Sequence, residues 1–284
     1  MRPVLFHHQS WRRAYNRAER GLDSTLVNPD LRRVFIIGIG AGSPKHLTVE
    51  AIEALNDIDV VLVADKGLAK SDLVGAREAI CEQFIDGVRP QIVLVPDPKR
   101  AASVPTSGAS AYEGVVLDWH AERAARYGQV IADIPANQAI GFLVWGDPAF
   151  YDSTIRIVDT IAATQPLDIT VIPGISAFQA LAAAHRIVLH DIGMPIHITT
   201  GRRLLGEWSP ALGSVVVMLD GPFAATELAA REPDLRIYWG AYLGLEYQEL
   251  RSGRLADVAE EIARHRQKLR AEHGWIMDTY VLMP

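Results

Sequence analysis

Short apolar runs alternate with stretches of helical apolar spacing along the first two thirds of the chain. Runs rich in Val, Ile and Leu that end in Gly, Pro or Asp are typical of buried strands. They occur at residues 34–39, 60–64, 91–95, 141–145 and 168–172. Between them, residues 48–58 and 153–164 carry apolar side chains at helical spacing. This alternation predicts an α/β fold with a largely parallel sheet and helices on its faces.

A second set of similar elements follows a short segment that contains Gly and Pro. Strands are expected at residues 196–200, 215–219, 236–239 and 280–282, with a helix at 255–272. The segment "LHDIGMP" at 189–195 suits a hinge, because Gly and Pro interrupt regular structure. We therefore expect two αβ domains, at residues 33–192 and 193–284.

Two further segments lie outside this alternation. Residues 1–32 are rich in Arg and lack the apolar core of a secretory signal, so we expect a poorly ordered extension; a faint resemblance to an organelle transit peptide is the alternative. Residues 96–114 contain three prolines and several small residues, which is typical of a mobile loop.

Composition narrows the classes of function. Of the 284 residues, 49% are apolar and 22% are charged, and the net charge is −6. A globular protein with one or two sizeable cores fits these values, and the acidic balance disfavours non-specific binding of nucleic acid. Cys81 is the single cysteine, which excludes an intrachain disulfide and favours a reducing, cytoplasmic location. No apolar run approaches the roughly 18 residues of a membrane span.

The sequence "VFIIGIGAGSPKHLT" places three glycines at every second position, directly after the first predicted strand. Gly38, Gly40 and Gly42 indicate a sharp turn or a close approach by other atoms. A dinucleotide-binding loop has the pattern Gly-x-Gly-x-x-Gly, with an acidic residue about 20 positions on. Ser43 stands at the third glycine position, whereas Asp65 ends the next strand. A nicotinamide-dependent oxidoreductase therefore stays open as an interpretation.

Two later strands end in loops of the same kind. The stretch "FLVWGDPAFYDST" runs from a strand into Gly146 and Asp147, and "VIPGISAFQALAAAH" runs through Gly174 to Ser176, a favourable helix N-cap. Three such exits would line one edge of a parallel sheet, where open αβ folds bind ligands. None of the loops carries a lysine of the phosphate-binding type, and no pair of His or Cys shows zinc-site spacing, so no metal is expected.

These loops, in this order, resemble those of the tetrapyrrole methylases, which use S-adenosylmethionine. The resemblance extends from about residue 33 to the C-terminus. It implies two αβα domains that form a cleft, usually in a homodimer, with the methyl donor between the domains. The stretches "DKGLAKSDLV", "IHITTGRR" and "HGWIMDTY" are most similar to members that methylate precorrin-5 at C1 and release acetate in aerobic cobalamin synthesis.

The resemblance also implies roles for individual positions. Donor contacts are expected from Trp145, Gly146, Asp147, Ser176, Met218, Ala241 and Tyr242. The candidates for managing water and protons during deacetylation are Asp147, Tyr151 and Asp152. The substrate side is expected to include Pro44 and the cations Lys66, Lys70, Arg202 and Arg203, which suit a polycarboxylate. Arg77, in a helical pattern, is expected to be an ordinary solvated cation.

Other functions stay open at this point. A dinucleotide site at Gly38–Gly42 would make the protein an oxidoreductase. A methylase of the same fold could act on another precorrin, an RNA or diphthamide. A non-catalytic scaffold is a third class.

Overall fold

The computed structural model describes residues 31–65, 77, 80–98 and 109–284, and in the last range it describes side chains from residue 117 onward. The predicted extension at 1–32 lies almost wholly outside these residues. Lys66, Lys70 and most of the predicted loop at 96–114 lie outside them as well.

The first half of the described chain forms a parallel sheet of five strands. Its strands are β1 (Arg32–Gly38), β2 (Val60–Asp65), β3 (Gln91–Pro96), β4 (Ile140–Val144) and β5 (Leu167–Ile172), in the order β3-β2-β4-β1-β5. The register pairs Gly38 with Val144 and Ile37 with Ile172, so β1, β4 and β5 end at the same level. The predicted parallel sheet is confirmed.

Helices cover both faces of this sheet, because successive apolar side chains of a strand point to opposite faces. They are α1 (Val49–Asp57), α2 (Ala109–Asp133) and α3 (Thr154–Ala162), together with helical residues 80–84. Ile37 and Leu143 pack with α1 and residues 80–84, whereas Ile36 and Phe142 pack with α2 and α3. Since α2 begins at Ala109, the expectation of a loop as far as residue 114 was wrong; alanines near its start favour the helix.

The second sheet is mixed. Its strands are β6 (Ile196–Thr200), β7 (Ser214–Met218), β8 (Arg236–Ala241), β9 (Glu249–Arg254) and β10 (Asp278–Met283), in the order β6-β7-β10-β8-β9. β6 is parallel to β7, and the other neighbouring pairs are antiparallel. The register pairs Met218 with Thr200 and Thr279, and Ala241 with Asp278. The ends of β6, β7 and β8 and the start of β10 therefore lie at one edge.

Strand β9 was not predicted from the sequence. Its residues, "ELRSGR", include only one apolar side chain, and it pairs with β8 alone at the margin of the sheet. An edge strand that faces solvent lacks the apolar signal by which buried strands are recognised.

The second sheet is also covered on both faces. Its helices are α4 (Ala177–His185), α5 (Gly201–Glu207), α6 (Ala225–Arg231) and α7 (Leu255–His273). On one face, Phe178 and Leu181 of α4 pack with Val216 and Val281, and the other three helices pack on the opposite face. This arrangement confirms two αβα units, each of which is a sheet covered by helices on both faces. The division at residues 192 and 193 stays a prediction, since α4 precedes it and packs on the second sheet.

A carboxylate fastens α5 to the edge strand β6. Glu207 Oε2 accepts a hydrogen bond from Thr199 Oγ1 at 2.5 Å and lies 3.2 Å from His197 Nε2. Its other oxygen accepts from the guanidinium of Arg203. The hydrogen bond from Thr199, followed by those from Arg203 and His197, lowers the pKa of Glu207 from 4.5 to about 2.

We expect Glu207 to stabilise the fold only when it is ionised. Because its pKa is depressed on folding, its contribution is present above pH 4.5 and is lost as the pH falls toward about 2. Glu207→Gln should lower the free energy of unfolding in urea by about 1 kcal/mol at pH 7 and by less at pH 3. The exposed Glu260→Gln is the control and should change neither value. Equal stability of Glu207→Gln and the wild type at both pH values would contradict this prediction.

Candidate active site

The three glycine loops at the exits of β1, β4 and β5 meet through main-chain contacts. Gly40 N donates to Gly146 O at 3.2 Å, and Gly146 N donates to Gly40 O at 2.8 Å. A β-carbon on Gly174 would lie 2.1 Å from Gly146 O, and one on Gly38 would lie 2.6 Å from Gly174 N. Only residues without a side chain allow the three exits to approach so closely.

The last glycine of the first loop meets the second half of the chain. A β-carbon on Gly42 would lie 2.5 Å from Leu243 O, and one on Gly244 would lie 2.7 Å from Ser43 N. After Gly42 the chain forms a 3-10 turn at Pro44–His46, and α1 begins only beyond it. The loop therefore does not open directly into a helix N-terminus, as a pyrophosphate site requires. Packing against backbone accounts for Gly38 and Gly42, and a β-carbon on Gly40 would lie 2.3 Å from His46 Cβ.

A cavity that is continuous with solvent lies where the exits of the two sheets face each other. The predicted residues in its lining are Trp145, Gly146, Asp147, Tyr151, Asp152, Ser176 and Met218. The lining also includes residues that were not predicted: Phe150, Leu219, Leu243, Met277, Asp278 and Thr279.

Both predicted aspartates accept hydrogen bonds from main-chain N–H groups beside the cavity. Asp147 Oδ1 accepts from Ala149 N at 2.8 Å, and Asp147 Oδ2 accepts from Gly174 N at 2.9 Å. This carboxylate thus joins the second glycine loop to the third. Asp152 Oδ1 accepts from Thr154 N at 2.7 Å, at the start of α3. Such bonds are typical of Asp in turns and helix caps.

Tyr151 links the two halves of the chain. Its φ is 53°, a left-handed conformation that is uncommon for residues other than Gly. Its hydroxyl donates to Ile198 O, on the edge strand β6, at 3.2 Å. Burial, followed by the charge of Glu207, raises the pKa of Tyr151. At neutral pH the side chain is therefore a hydrogen-bond donor.

Trp145 lies against a largely buried arginine. Arg77 Cζ lies 5.4 Å from the centroid of the indole ring, and Arg77 Nε donates to Leu143 O at 3.2 Å. Burial lowers the pKa of Arg77, against the opposing charges of Tyr127 and Asp152. The expectation of a solvated Arg77 was wrong, because the side chain lies along the exit of β4. Trp145 Nε1 is buried and finds no hydrogen-bond partner among the described residues.

Two further predicted residues line the cavity: Ser176, which follows the first sheet, and Met218, which belongs to the second sheet. Ser176 is the N-cap of α4, and both its N and its Oγ donate to Gln179 Oε1, at 2.9 and 2.8 Å. Met218 ends β7 and is followed by Leu219, whose φ is 54°.

Ala241 and Tyr242 lie behind the cavity wall. Both are fully buried. Tyr242 N donates to Met277 O at 2.9 Å, and its hydroxyl donates to Trp275 O at 2.6 Å. Burial raises the pKa of Tyr242 to about 12. The residue of this loop that reaches the cavity is Leu243.

Among the described residues, those predicted for the substrate side are not in the cavity lining. Arg202 and Arg203 lie at the start of α5, where Arg202 is exposed and Arg203 pairs with Glu207. Pro44 begins the 3-10 turn that follows the first glycine loop.

Asp278 is the charged lining residue that sequence reasoning missed. It begins β10, which runs antiparallel to its neighbours, so this strand brings its start and not its end to the cavity. The signal available in the sequence was an Asp directly before the last apolar run, "TYVLM".

Among the described ranges of the chain, none of the helices combines the length and the apolar character that a membrane span requires. The same ranges contain no group of three or more His, Cys, Asp or Glu side chains that could hold a metal ion.

Comparisons with known proteins agree with this geometry. Residues 33–259 match the family model of the Tetrapyrrole (Corrin/Porphyrin) Methylases. The chain is 44% identical over 260 residues to a precorrin-6A synthase (deacetylating) from Sinorhizobium sp., covering 90% of this chain and 97% of that protein. It is 30% identical over 145 residues to a precorrin-2 C(20)-methyltransferase from Sinorhizobium sp., covering 51% and 54% of the two chains.

Solved structures show the same likeness. A cobalamin synthesis related protein, CobF, from Corynebacterium diphtheriae has a TM-score of 0.73 and 40% identity, covering 89% of this chain and 98% of that one. A uroporphyrin-III C-methyl transferase from Thermus thermophilus, complexed with S-adenyl homocysteine, has a TM-score of 0.52 and 16% identity, covering 88% and 92%; that likeness shows the fold alone. The chain belongs to the tetrapyrrole methylases.

Proposed function

We propose that this protein is an S-adenosylmethionine-dependent methyltransferase that converts precorrin-5 to precorrin-6A in cobalamin synthesis. The reaction adds a methyl group at C1 and releases acetate. Membership of the family supports a tetrapyrrole acceptor. The 44% identity with a deacetylating precorrin-6A synthase, over 97% of that protein, supports this particular acceptor. The observation that carries the proposal is the cavity where the exits of both sheets meet.

The cavity is suited to S-adenosylmethionine, which when bound supplies an electrophilic methyl group. Phe150, Met218 and Leu243 provide apolar walls for a folded ligand. Gly146 lines the cavity without a side chain, so a ligand can approach the main chain closely at this point.

Charge around the cavity also favours a cationic donor. Asp147 and Asp152 are in the lining, so two carboxylates stand near any bound sulfonium, whereas the third lining carboxylate, Asp278, is already paired with Arg266. A cation in a partly desolvated site is stabilised by nearby carboxylates.

The chain contributes alignment and exclusion of water to the methyl transfer. A ring carbon of the substrate is the nucleophile, so no protein nucleophile is needed. In-line displacement depends on holding the ring carbon, the methyl group and the sulfur of the donor in one line. The three glycine loops form the floor of the cavity, and the main-chain contacts around Gly146 hold this floor in a fixed position. The apolar side chains of Phe150 and Leu219 shield the cavity from water.

Release of acetate requires water and proton handling, for which we favour Asp152 and Tyr151. Asp147 already accepts a main-chain hydrogen bond on each oxygen. Asp152 uses Oδ1 to cap α3 and faces the cavity, so we assign it the role of base. Tyr151 is protonated at neutral pH, as a tyrosine ordinarily is, and burial raises its pKa further; we assign it the role of donor, for which its hydroxyl exchanges Ile198 O for the substrate.

The substrate carries many carboxylates, so cations beside the cavity are expected to bind it. Arg202 is exposed beyond the end of β6, and Lys66 and Lys70 follow the end of β2 in sequence. We propose these three as carboxylate contacts, together with Pro44. Arg203 is engaged by Glu207, so it would contribute only by exchanging that partner.

The family resemblance also supports a homodimer, and the single cysteine favours the cytoplasm. Light scattering of the purified protein tests the first of these, and fractionation of cells tests the second.

Donor binding is tested by filling the cavity. Ala177 lines it at the start of α4, and Ala183 is exposed on the same helix. Ala177→Leu should weaken the affinity for S-adenosylhomocysteine by at least about tenfold, because the added side chain occupies cavity space. Ala183→Leu is the matched control and should bind like the wild type. Calorimetric titration measures both.

The oxidoreductase interpretation has a distinct outcome in the same titration. Saturable binding of NADPH by the wild type, without binding of S-adenosylhomocysteine, would overturn the proposed function. Wild-type affinity in Ala177→Leu would instead show that the donor binds elsewhere.

Mass analysis of the product tests the acceptor. With precorrin-5 and labelled donor, the wild type should give a pigment that has gained one methyl group and lost one acetyl group. Methylation of a different precorrin without loss of acetyl would favour another family member's reaction.

The role of Asp152 is tested by the same assay. Asp152→Asn should slow acetate release by about 100-fold or more, so that a methylated but still acetylated product accumulates. Asp159→Asn, on the exposed side of α3, is the control. Normal acetate release by Asp152→Asn would assign the base elsewhere.

A further inference from the structure

A buried arginine, Arg266, lies directly behind the part of the cavity wall that contains Leu219 and Asp278. Arg266 projects from α7, and its side chain is 7% exposed, close to the 8% of Asp278. Arg266 Nε donates to Asp278 Oδ2 at 2.6 Å, and Arg266 Nη2 donates to Asp278 Oδ1 at 3.2 Å. Trp239 Nε1 donates to the same Oδ2 at 2.7 Å. The carboxylate at the start of β10 is therefore fixed from behind on both oxygens.

The same guanidinium holds the exit of β7, where its Nη2 donates to Asp220 O. The side chain of Asp220 is in turn bound on both oxygens. Oδ1 accepts from Phe223 N at 2.9 Å, and Oδ2 accepts from Ala224 N at 2.7 Å and from Tyr280 Oη at 2.6 Å. Gly201 leaves room for this carboxylate, since a β-carbon there would lie 2.1 Å from Asp220 Cγ.

The turn at residues 219–223, which is held by the hydrogen bonds of Asp220 and Arg266, is strained. Leu219 and Phe223 have φ values of 54° and 67°, which residues other than Gly rarely adopt. Leu219 lines the cavity and is 66% exposed, so its own packing does not account for its conformation. Such conformations persist where the surroundings over-determine them, and they cluster at ligand sites. Here the surroundings are the hydrogen bonds to Asp220.

We propose that Arg266 is a positioning residue of the methyl-donor pocket. It acts through Asp278, at the start of β10, and through Asp220, at the exit of β7, and so sets the wall formed by Leu219 and Asp278 in the shape that binds the donor. This inference rests on the proposed function. Stability alone does not require the pair, because a buried ion pair is often replaceable by uncharged residues without loss of stability.

The test separates stability from donor binding with the double variant Arg266→Met/Asp278→Asn. Both charges are removed together, so no buried charge is left unpaired, and Asn keeps the shape of the wall and an acceptor for Trp239 Nε1. We expect a melting temperature within about 5 °C of the wild type. The Kd for S-adenosylhomocysteine, measured by calorimetry, should rise about tenfold.

A matched control lies on the solvent side of the same helix. Lys268 and Glu272 form an ion pair with side chains 69% and 50% exposed. Lys268→Met/Glu272→Gln likewise replaces a cation by Met and a carboxylate by its amide, and it should leave both the melting temperature and the Kd as in the wild type.

A double variant that folds and binds S-adenosylhomocysteine with wild-type affinity would overturn the proposal. If that variant does not fold, Arg266→Lys decides. Lysine keeps Asp278 paired but lacks the fork that reaches Asp220 O at the same time, so the same rise in Kd is expected, and an unchanged Kd would overturn the proposal.

Steady-state kinetics provides a second readout. A positioning role raises the KM for the donor with little change in kcat per folded enzyme, whereas a purely structural role leaves KM unchanged. Absence of S-adenosylhomocysteine binding by the wild type would instead remove the proposed function itself.

Discussion

The site depends on the close packing of main chain around the carbonyl oxygen of Gly146. This oxygen accepts from Gly40 N, and it lies where a β-carbon of Gly174 would be 2.1 Å away and one of Gly38 would be 3.0 Å away. Because no side chain separates the three exits, they form one surface of packed backbone. A cavity floor made in this way is fixed by steric contact, to which the carboxylate of Asp147 adds one link between the second and third loops.

The register of the two sheets explains why so many elements reach this floor. Parallel pairing ends β1, β4 and β5 at one level, and the second sheet brings the ends of β7 and β8 to its own edge. The antiparallel β10 begins where those strands end, which places Asp278 beside Ala241. Gly42 and Gly244 then allow the two edges to approach each other. The cavity thus follows from strand pairing and from glycine placement together.

The parts that could be predicted from the sequence are those with a local cause. Buried strands show as apolar runs, and a backbone that tolerates no side chain shows as glycine, so the first sheet and its three loops were found. Strand β9 has no apolar run, because it lies at an edge. Arg266 stands in "ARHRQK" near the exposed Arg264; helical spacing puts Arg266 on the face of Ile262 and Leu269, but a charged side chain is ordinarily expected in solvent. Its burial depends on Asp278, a partner set by tertiary structure.

The two walls of the cavity are held by different means, and this difference has consequences. In the first half, positive φ falls mainly on glycines such as Gly40 and Gly146, where it costs little, and on Tyr151, whose hydroxyl donates to Ile198 O. In the second half it falls on Leu219, Phe223 and Tyr242, which need hydrogen bonds to keep that conformation. A side chain added to the glycine floor would meet backbone that has nowhere to move. A hydrogen bond lost behind the second wall would let a strained turn relax, which alters the shape of the pocket while both cores remain intact.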